Sequence, residues 1–485
     1  MTADALHSRA AQCLGSGQLA RAQQLCLQAL QLQPGHAASQ HLMGHLAARQ
    51  GQWLQALQWL QRAQQAGLVS AGLQAELGSV LRQLGHLDAA LQHYEASLAL
   101  QPAQAVVHYN KGNLLRQQRR NEEAVACFKQ AIALQPGLAQ AWSNLGNALE
   151  DLDRYAEARD AYQQALTLMP QLKAAQYNLG LCQLQTGELQ AGWDNFEARW
   201  ALPDFEAVAL KTLQPRWQSH HTGNTLLIWA EQGLGDEIFW AGLLGRAHEL
   251  APKVMVQADA RLAPLLRRSF DRLHWVNGRQ ALQGLVFDTH MPMGALGAIM
   301  RPNLASFETW AGGYLQAKPE RVAQLRAQLV PDGLRLCGLS WRSKNPVSGS
   351  DKSLALQDLL PVLRQPGWRF VSLQYGDVSG ELDALAQQHG IRIEQVPDID
   401  NFHDIEGLAD LVATCDCVVS TSNSTVHLAG ALARPVYLLS HPGRGRMWYW
   451  LLQRNGYSLW YPTVRIMPLH GLLPHFDPLI KVMSS

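Results

Sequence analysis

Residues 105–136 read AVVHYNKGNLLRQQRRNEEAVACFKQAIALQP, and this stretch decides the first half of the fold. It contains two helix-forming runs. The first carries a small residue, Gly112; the second carries Ala124, then Phe128 four residues on, and stops at Pro136. The same register extends in both directions. Pro34, Pro102, Pro136 and Pro170 follow LQLQ, LALQ, IALQ and LTLM at gaps of 68, 34 and 34, with Leu68 filling the missing place. The small residue of the first run recurs as Ala10, Gly44, Gly78, Gly112, Gly146 and Gly180. That of the second recurs as Ala22, Ala56, Ala90, Ala124, Ala158 and Gly192, followed by Cys26, Leu60, Tyr94, Phe128, Tyr162 and Phe196. Two antiparallel helices approach closely only where both are small; a larger side chain fills the space beside the crossing. The proline stops the second helix and sets the turn to the next unit.

A period of about 34 residues is the tetratricopeptide period. It predicts an α-solenoid of about six repeats over residues 1–205, with an extended concave groove suited to a protein partner. Asn110, Asn144 and Asn178 share one place on the first helices, and Asn113 and Asn147 another. Amides there can bond an extended peptide backbone without reading its sequence; the other reading is simple repeat consensus. In the last unit Arg199 stands where Ala29, Ala63, Ala131 and Ala165 stood, which marks a junction with the next domain.

Composition bounds the rest. The 485 residues carry 40 Lys+Arg against 39 Asp+Glu, a net charge of +1, which argues against nucleic-acid coating. Apolar residues at 47% suffice for sizeable cores. Seven scattered cysteines make a poor disulfide framework, and Cys415-Asp-Cys417 has no second pair that would make it a zinc site. The N-terminal MTADALHSRA has neither the basic nor the apolar region of a signal peptide, and no apolar run reaches the roughly 18 residues of a membrane span. A cytoplasmic protein without a transmembrane segment is expected.

Past Trp200 the helical period ends. A Pro-containing linker (206–222) leads to runs that alternate between strand and helix. Strands are expected at TLLIWA (225–230), KVMVQAD (253–259) and LVFDTHMP (285–292), then at LRLCGLSW (334–341), WRFVSLQYG (368–376), DCVVST (416–421) and PVYLLS (435–440), with IRIEQVPDI (391–399) between the helices ELDALAQQHG and GLADLVATC. Such alternation predicts two parallel α/β halves, 223–325 and 326–485, with a ligand cleft at the carboxyl ends of their strands.

Three loops at strand ends could carry chemistry. Gly233-Leu-Gly235-Asp236 opens a helix; Asp236 is either a base for an acceptor hydroxyl or an N-terminal cap. Asn423, Ser424, Thr425 and His427 sit between a strand and a helix N-terminus, a place that binds phosphate; capping by the hydroxyls with a packed histidine is the alternative. Trp341-Arg342-Ser343-Lys344-Asn345, with Lys352 and Ser353 following, supplies basic groups for a departing phosphate or a solvated loop. Arg444, Arg446, Trp448, Tyr449, Trp450 and Trp460-Tyr461 are aromatic and basic; most of the aromatics read as core.

GLGDEIFWAGLL (233–244), LSWRSKNP (339–346) and STSNSTVHLAGALARPVYLL (420–439) resemble the heptosyltransferase-like glycosyltransferases of GT-B fold. The degenerate repeat AGWDNFEARW (191–200) ahead of such a domain is similar to bacterial tetratricopeptide-repeat glycosyltransferases, and the SNSTVHLAGAL form to their flagellin-modifying type. The resemblance implies an inverting, metal-independent protein O-glycosyltransferase. The repeats would dock the acceptor, flagellin, and the C-terminal half would bind a nucleotide sugar. It implies no cofactor beyond that co-substrate, Asp236 as general base, Gly233, Gly235, Asn423, Ser424, Thr425 and His427 around the donor, and Arg342 and Lys344 facing the leaving group. Many members carry an acid five residues before the histidine; here it is Ser422. A neutral residue there suits a donor that is itself a carboxylate, such as a CMP-linked nonulosonic acid of the pseudaminic type. Two other readings stand: transfer to a lipid-linked or lipopolysaccharide acceptor, with Arg267 and Arg268 touching anionic lipid, and a non-catalytic scaffold with a decayed transferase domain.

Overall fold

The computed structural model describes residues 1–206, 208–219, 223–231, 233–345, 349–440 and 447–468. The chain forms two compact units, Met1–Leu172 and Lys173–Ser485.

The first unit is five helix pairs: α1 (Ala3–Gly15) with α2 (Leu19–Leu32), α3 (Ala37–Arg49) with α4 (Trp53–Gln65), α5 (Ala71–Gln83) with α6 (Leu87–Leu100), α7 (Ala105–Gln117) with α8 (Asn121–Leu134), and α9 (Ala139–Glu150) with α10 (Tyr155–Leu168). The crossings are where the small residues place them. A Cβ on Gly44, Gly78, Gly112 or Gly146 would fall within 2.5–2.8 Å of Leu60, Tyr94, Phe128 or Tyr162. Their partners Ala56, Ala90, Ala124 and Ala158 are fully buried. Gly17, Gly51 and Gly85 turn the pairs in the left-handed region, where Arg119 (φ 63°) and Asp153 (φ 61°) take the same conformation without glycine's freedom.

The second unit begins with the sixth pair, α11 (Lys173–Thr186) and α12 (Leu189–Phe196). The division thus falls one helix pair before the expected boundary at 205. The reason is packing. Trp193 of α12 is buried, donates its indole N–H to the Arg301 carbonyl at 2.8 Å, and leaves no room for a Cβ at Gly297. Its ring meets Trp240 and Trp448 at centroid distances of 6.1 and 5.7 Å. The last repeat therefore shares its core with the α/β part instead of a seventh repeat.

Two sheets follow. The first holds β1 (Thr225–Trp229), β2 (Lys253–Ala258), β3 (His274–Asn277) and β4 (Thr289–Pro292) in the order β3-β2-β1-β4, all parallel. The second holds β5 (Arg335–Ser340), β6 (Trp368–Ser372), β7 (Cys417–Thr421), β8 (Val436–Ser440), β9 (Gln453–Arg454), β10 (Tyr457–Ser458) and β11 (Val464–Pro468), ordered β6-β5-β7-β8-β11-β10-β9. Its first five members in that order are parallel, and β10 and β9 turn back antiparallel. The strand expected at 285–292 is only β4, and IRIEQVPDI contributes one bridge, Val371 to Glu394. The edge strand β3, with His274 and Asn277 exposed, and the short strands β9–β11 lack the apolar runs that reveal the others. Cys337 and Cys417 face each other across β5 and β7 as buried free thiols. Among the described residues no helix is long and apolar enough to cross a membrane.

Candidate functional site

The helix Leu234–Ala241 leaves the end of β1, and the helix Ser424–Ala431 leaves the end of β7. They cross at their N-termini. A Cβ on Gly235 would lie 3.4 Å from His427 Cδ2 and 3.6 Å from Ser424 Cα, ordinary contact distances, so the two halves touch at this point. Around the crossing is a cavity of about 630 Å³, lined by Gly233, Gly235 and Asp236 from one half and by Lys344, Lys352, Asn423, Ser424 and His427 from the other. A neighbouring cavity of about 860 Å³ spreads over the carboxyl ends of the first sheet; Gly233 and Asn345 line both.

Asp236 is at once cap and cavity residue. Gly233 is the N-cap, and Asp236 lies on the first turn, where the Gly233 backbone N–H favours the charged carboxylate. Burial pushes the carboxyl from 3.8 up to about 6; Lys352 opposes this and Glu231 adds to it. Glu237, next on the helix, faces the larger cavity and accepts the Asp259 N–H at 2.7 Å. Burial raises it to about 7.

The 423–427 loop is more internally engaged than its composition suggests. Asn423 is the N-cap, accepting from Thr425 N–H at 3.0 Å and donating to Ser340 Oγ at 2.8 Å and the Arg342 carbonyl at 3.1 Å. Thr425 is fully buried and does not line the cavity, so its amide serves the cap and not a ligand. Ser424 does line it. His427 presents an edge to the cavity, but its nitrogens are engaged by the hydroxyls of Tyr461 (3.1 Å) and Tyr449 (3.2 Å). Its ring stacks on Trp450, 5.1 Å between centroids. Burial, reinforced by Lys352, takes it down to about 3, so the imidazole is neutral and offers a ligand no positive charge. Ser422 accepts from the Trp450 indole N–H at 3.0 Å.

The basic loop divides. Arg342 is turned away: its guanidinium pairs with Glu381 at 2.5 Å and is absent from the cavity wall. Lys344 lines the cavity and lies 5.8 Å from the Tyr375 ring. Lys352, from the short helix Gly349–Lys352, lines it as well and acts on Asp236. Residues that motif reading missed complete the wall. Tyr375 and Phe402 (6.1 Å between rings) stand with Asn401 and Arg261 on its far side. Tyr375 follows β6, which the strand-end rule could have flagged; Phe402 lies in a loop with no signal. Arg444 and Arg446 lie outside the described residues.

The asparagines of the repeats are half-buried and partly self-satisfied. Asn144 donates to Asn113 Oδ1 at 2.7 Å and to the Tyr109 hydroxyl at 3.1 Å, joining α9 to α7. Asn147 accepts from the Tyr162 hydroxyl at 2.8 Å. These amides spend part of their bonding capacity on the solenoid itself. Asn110 and, in the second unit, Asn178 are half-buried on their helices. Arg267 donates to Asn277 Oδ1 at 3.0 Å, and Arg268 to Glu406 at 2.5 Å and the Gln316 carbonyl at 2.8 Å, so both arginines have partners within the fold.

Comparison with known proteins agrees with the helical array. The tetratricopeptide repeat family matches over residues 41–105, 75–139, 109–173 and 144–192. Protein FlbA of Caulobacter vibrioides is 32% identical over 302 residues, 58% of this chain and 50% of FlbA, so the chain spans about half the length of that curated relative. Among solved structures, YrrB, described as a TPR protein with an unusual peptide-binding site, is 22% identical with a TM-score of 0.32, over 35% of this chain and 88% of its own. MamA is 20% identical with a TM-score of 0.31, over 33% and 94%. The chain thus carries tetratricopeptide repeats over residues 41–192, followed by a mixed α/β part.

Proposed function

We propose that the α/β part is an inverting protein O-glycosyltransferase of GT-B type, and that the repeats dock its acceptor, flagellin. One observation carries the reading. Asp236, raised to about 6, lines the cavity where the N-termini of two helices meet two lysines. A carboxylate with that affinity for protons is suited to general base work near neutral pH. It takes the proton of an acceptor Ser or Thr hydroxyl as that oxygen attacks the anomeric carbon. The bond from that carbon to the donor phosphate breaks on the opposite face, which inverts the configuration. Lys344, Lys352 and the positive end of the helix Ser424–Ala431 meet the charge that develops on the phosphate. Lys352 takes the place that motif reading assigned to Arg342. The larger cavity beside Gly233 would receive the acceptor segment. Docking on the repeats raises its local concentration, so the cavity need recognise little sequence.

The nucleotide is a CMP on the argument that Ser422 leaves the donor pocket without the acid that would repel a carboxylate sugar. Calorimetry with CMP, UDP, GDP and ADP tests this; CMP alone should bind. A nucleoside diphosphate in its place would overturn the sugar, and silence from all four would favour the scaffold. Asp236→Asn should keep nucleotide affinity and lose transfer to flagellin; full activity would remove Asp236 as base.

A further inference from the structure

Position 199 departs from its own repeat. Ala29, Ala63, Ser97, Ala131 and Ala165 hold the equivalent place, all fully buried, and Arg199 is fully buried too. A guanidinium survives there because every face of it is met. Nε donates to Glu231 Oε2 at 2.9 Å and Nη2 to Oε1 at 3.3 Å. Nη1 donates to the Phe196 carbonyl at 3.1 Å and to Glu197 Oε1 at 2.7 Å. The rings of Phe196 and Trp200 lie 4.0 and 4.5 Å away. Glu231, whose side chain is 1% exposed, also accepts the Gly294 N–H at 2.7 Å.

Such a pair is a poor source of stability, because desolvation offsets most of the attraction and well-packed apolar residues do as well. What it supplies is direction: a planar fork meeting a carboxylate at two points fixes both partners in space. One partner sits in the turn Glu197–Ala201 that ends the last helix pair. The other sits just past β1, immediately ahead of the Gly233–Asp236 turn. We propose that Arg199 is a positioning residue for the transfer step, pinning through Glu231 the turn that carries Asp236 to the final repeat. The proposal rests on Asp236 being the base. Charged neighbours that act on Asp236 and Glu237 include Lys352 from the facing half and Glu231, Asp259 and Arg261 from its own half.

The test uses the full chain and three variants: Glu231→Gln, Arg199→Lys, and the double replacement Arg199→Met with Glu231→Met, which removes both buried charges and keeps volume. The double variant should melt near the wild type. Its kcat for transfer should fall about tenfold with the KM for flagellin unchanged, since a small misplacement of the base is enough. Amide exchange over 233–237 should quicken. Glu231→Gln should move the acid limb of the rate profile to lower pH, and Arg199→Lys should restore part of kcat. A folded double variant with wild-type kcat, pH profile and exchange would overturn the proposal. If Asp236→Asn transfers at the wild-type rate, the base assignment falls; exchange over 233–237 then judges the pinning alone, and unchanged exchange refutes it.

Discussion

Replacing Asp236 by asparagine should stabilise the protein at neutral pH while abolishing transfer. The sign follows from the carboxyl's environment. Burial, the largest influence, raises it from 3.8 to about 6, so the folded chain holds the proton to higher pH than the unfolded chain. Its contribution to stability is complete below pH 3.8 and is lost as pH rises through 6. At 1.36 kcal/mol per pH unit, that displacement corresponds to about 3 kcal/mol at pH 7. Asparagine does not ionise and escapes the loss, but it gives up the attraction of Lys352 and of the Gly233 backbone N–H. A net gain of about 1–3 kcal/mol is therefore expected at pH 7.5, vanishing near pH 4. Urea unfolding followed by tryptophan fluorescence at the two pH values measures it. Of the 15 tryptophans, 12 lie at or after Trp193, so the signal reports mainly the second unit. A variant that is no more stable than wild type at pH 7.5, or equally stabilised at pH 4, would refute the assigned environment.

Further outcomes follow from particular contacts. Lys352→Met removes the charge that holds the Asp236 carboxyl down, so the acid limb of the rate profile should rise and transfer should slow about tenfold or more; an unchanged limb in a pH–rate series would separate the two residues. Gly180→Ala would drive a Cβ to 2.7 Å from the Phe196 backbone nitrogen, which cannot rotate away, and should cost about 1–3 kcal/mol in a thermal or urea melt of the second unit. Gly112→Ala meets side-chain atoms only, the edge of the buried Phe128 ring at 2.8 Å, and should cost less. A chain beginning near residue 173 should fold and bind nucleotide, whereas one beginning near 207 loses Trp193 and Arg199, leaves Glu231 unpaired in the core, and should show no cooperative melt by circular dichroism.

The repeat array was legible because its determinants are local. Each helix pair needs two small residues and one large one at fixed offsets, and the offsets recur with the chain's own period, so Gly44, Gly78, Gly112 and Gly146 mark their crossings in the sequence itself. The parallel strands β1, β2, β5, β7 and β8 were legible for a similar reason: burial on both faces demands an unbroken apolar run. The short or half-exposed strands β3 and β9–β11 carry no such demand and could be placed only by the strands they pair with. At the candidate site, spacing identified Asp236, Ser424, Lys344 and His427 as neighbours of one cleft, since the carboxyl end of a parallel strand faces it wherever that strand sits. It could not say what each would be there. His427 is neutral because burial, with Lys352 adding to it, disfavours the charged ring, and Tyr449 and Tyr461, far along the chain, occupy its two nitrogens. Arg342 leaves the cavity because Glu381 is within reach, and Lys352 stays in it. The proton affinity of Asp236 depends on burial, Lys352 and Glu231, and Glu231 is itself held by Arg199 of the last repeat. Residue type and period set the elements, through contacts a few residues long; protonation and reach depend on charges and hydroxyls that only the folded chain brings within a few ångströms.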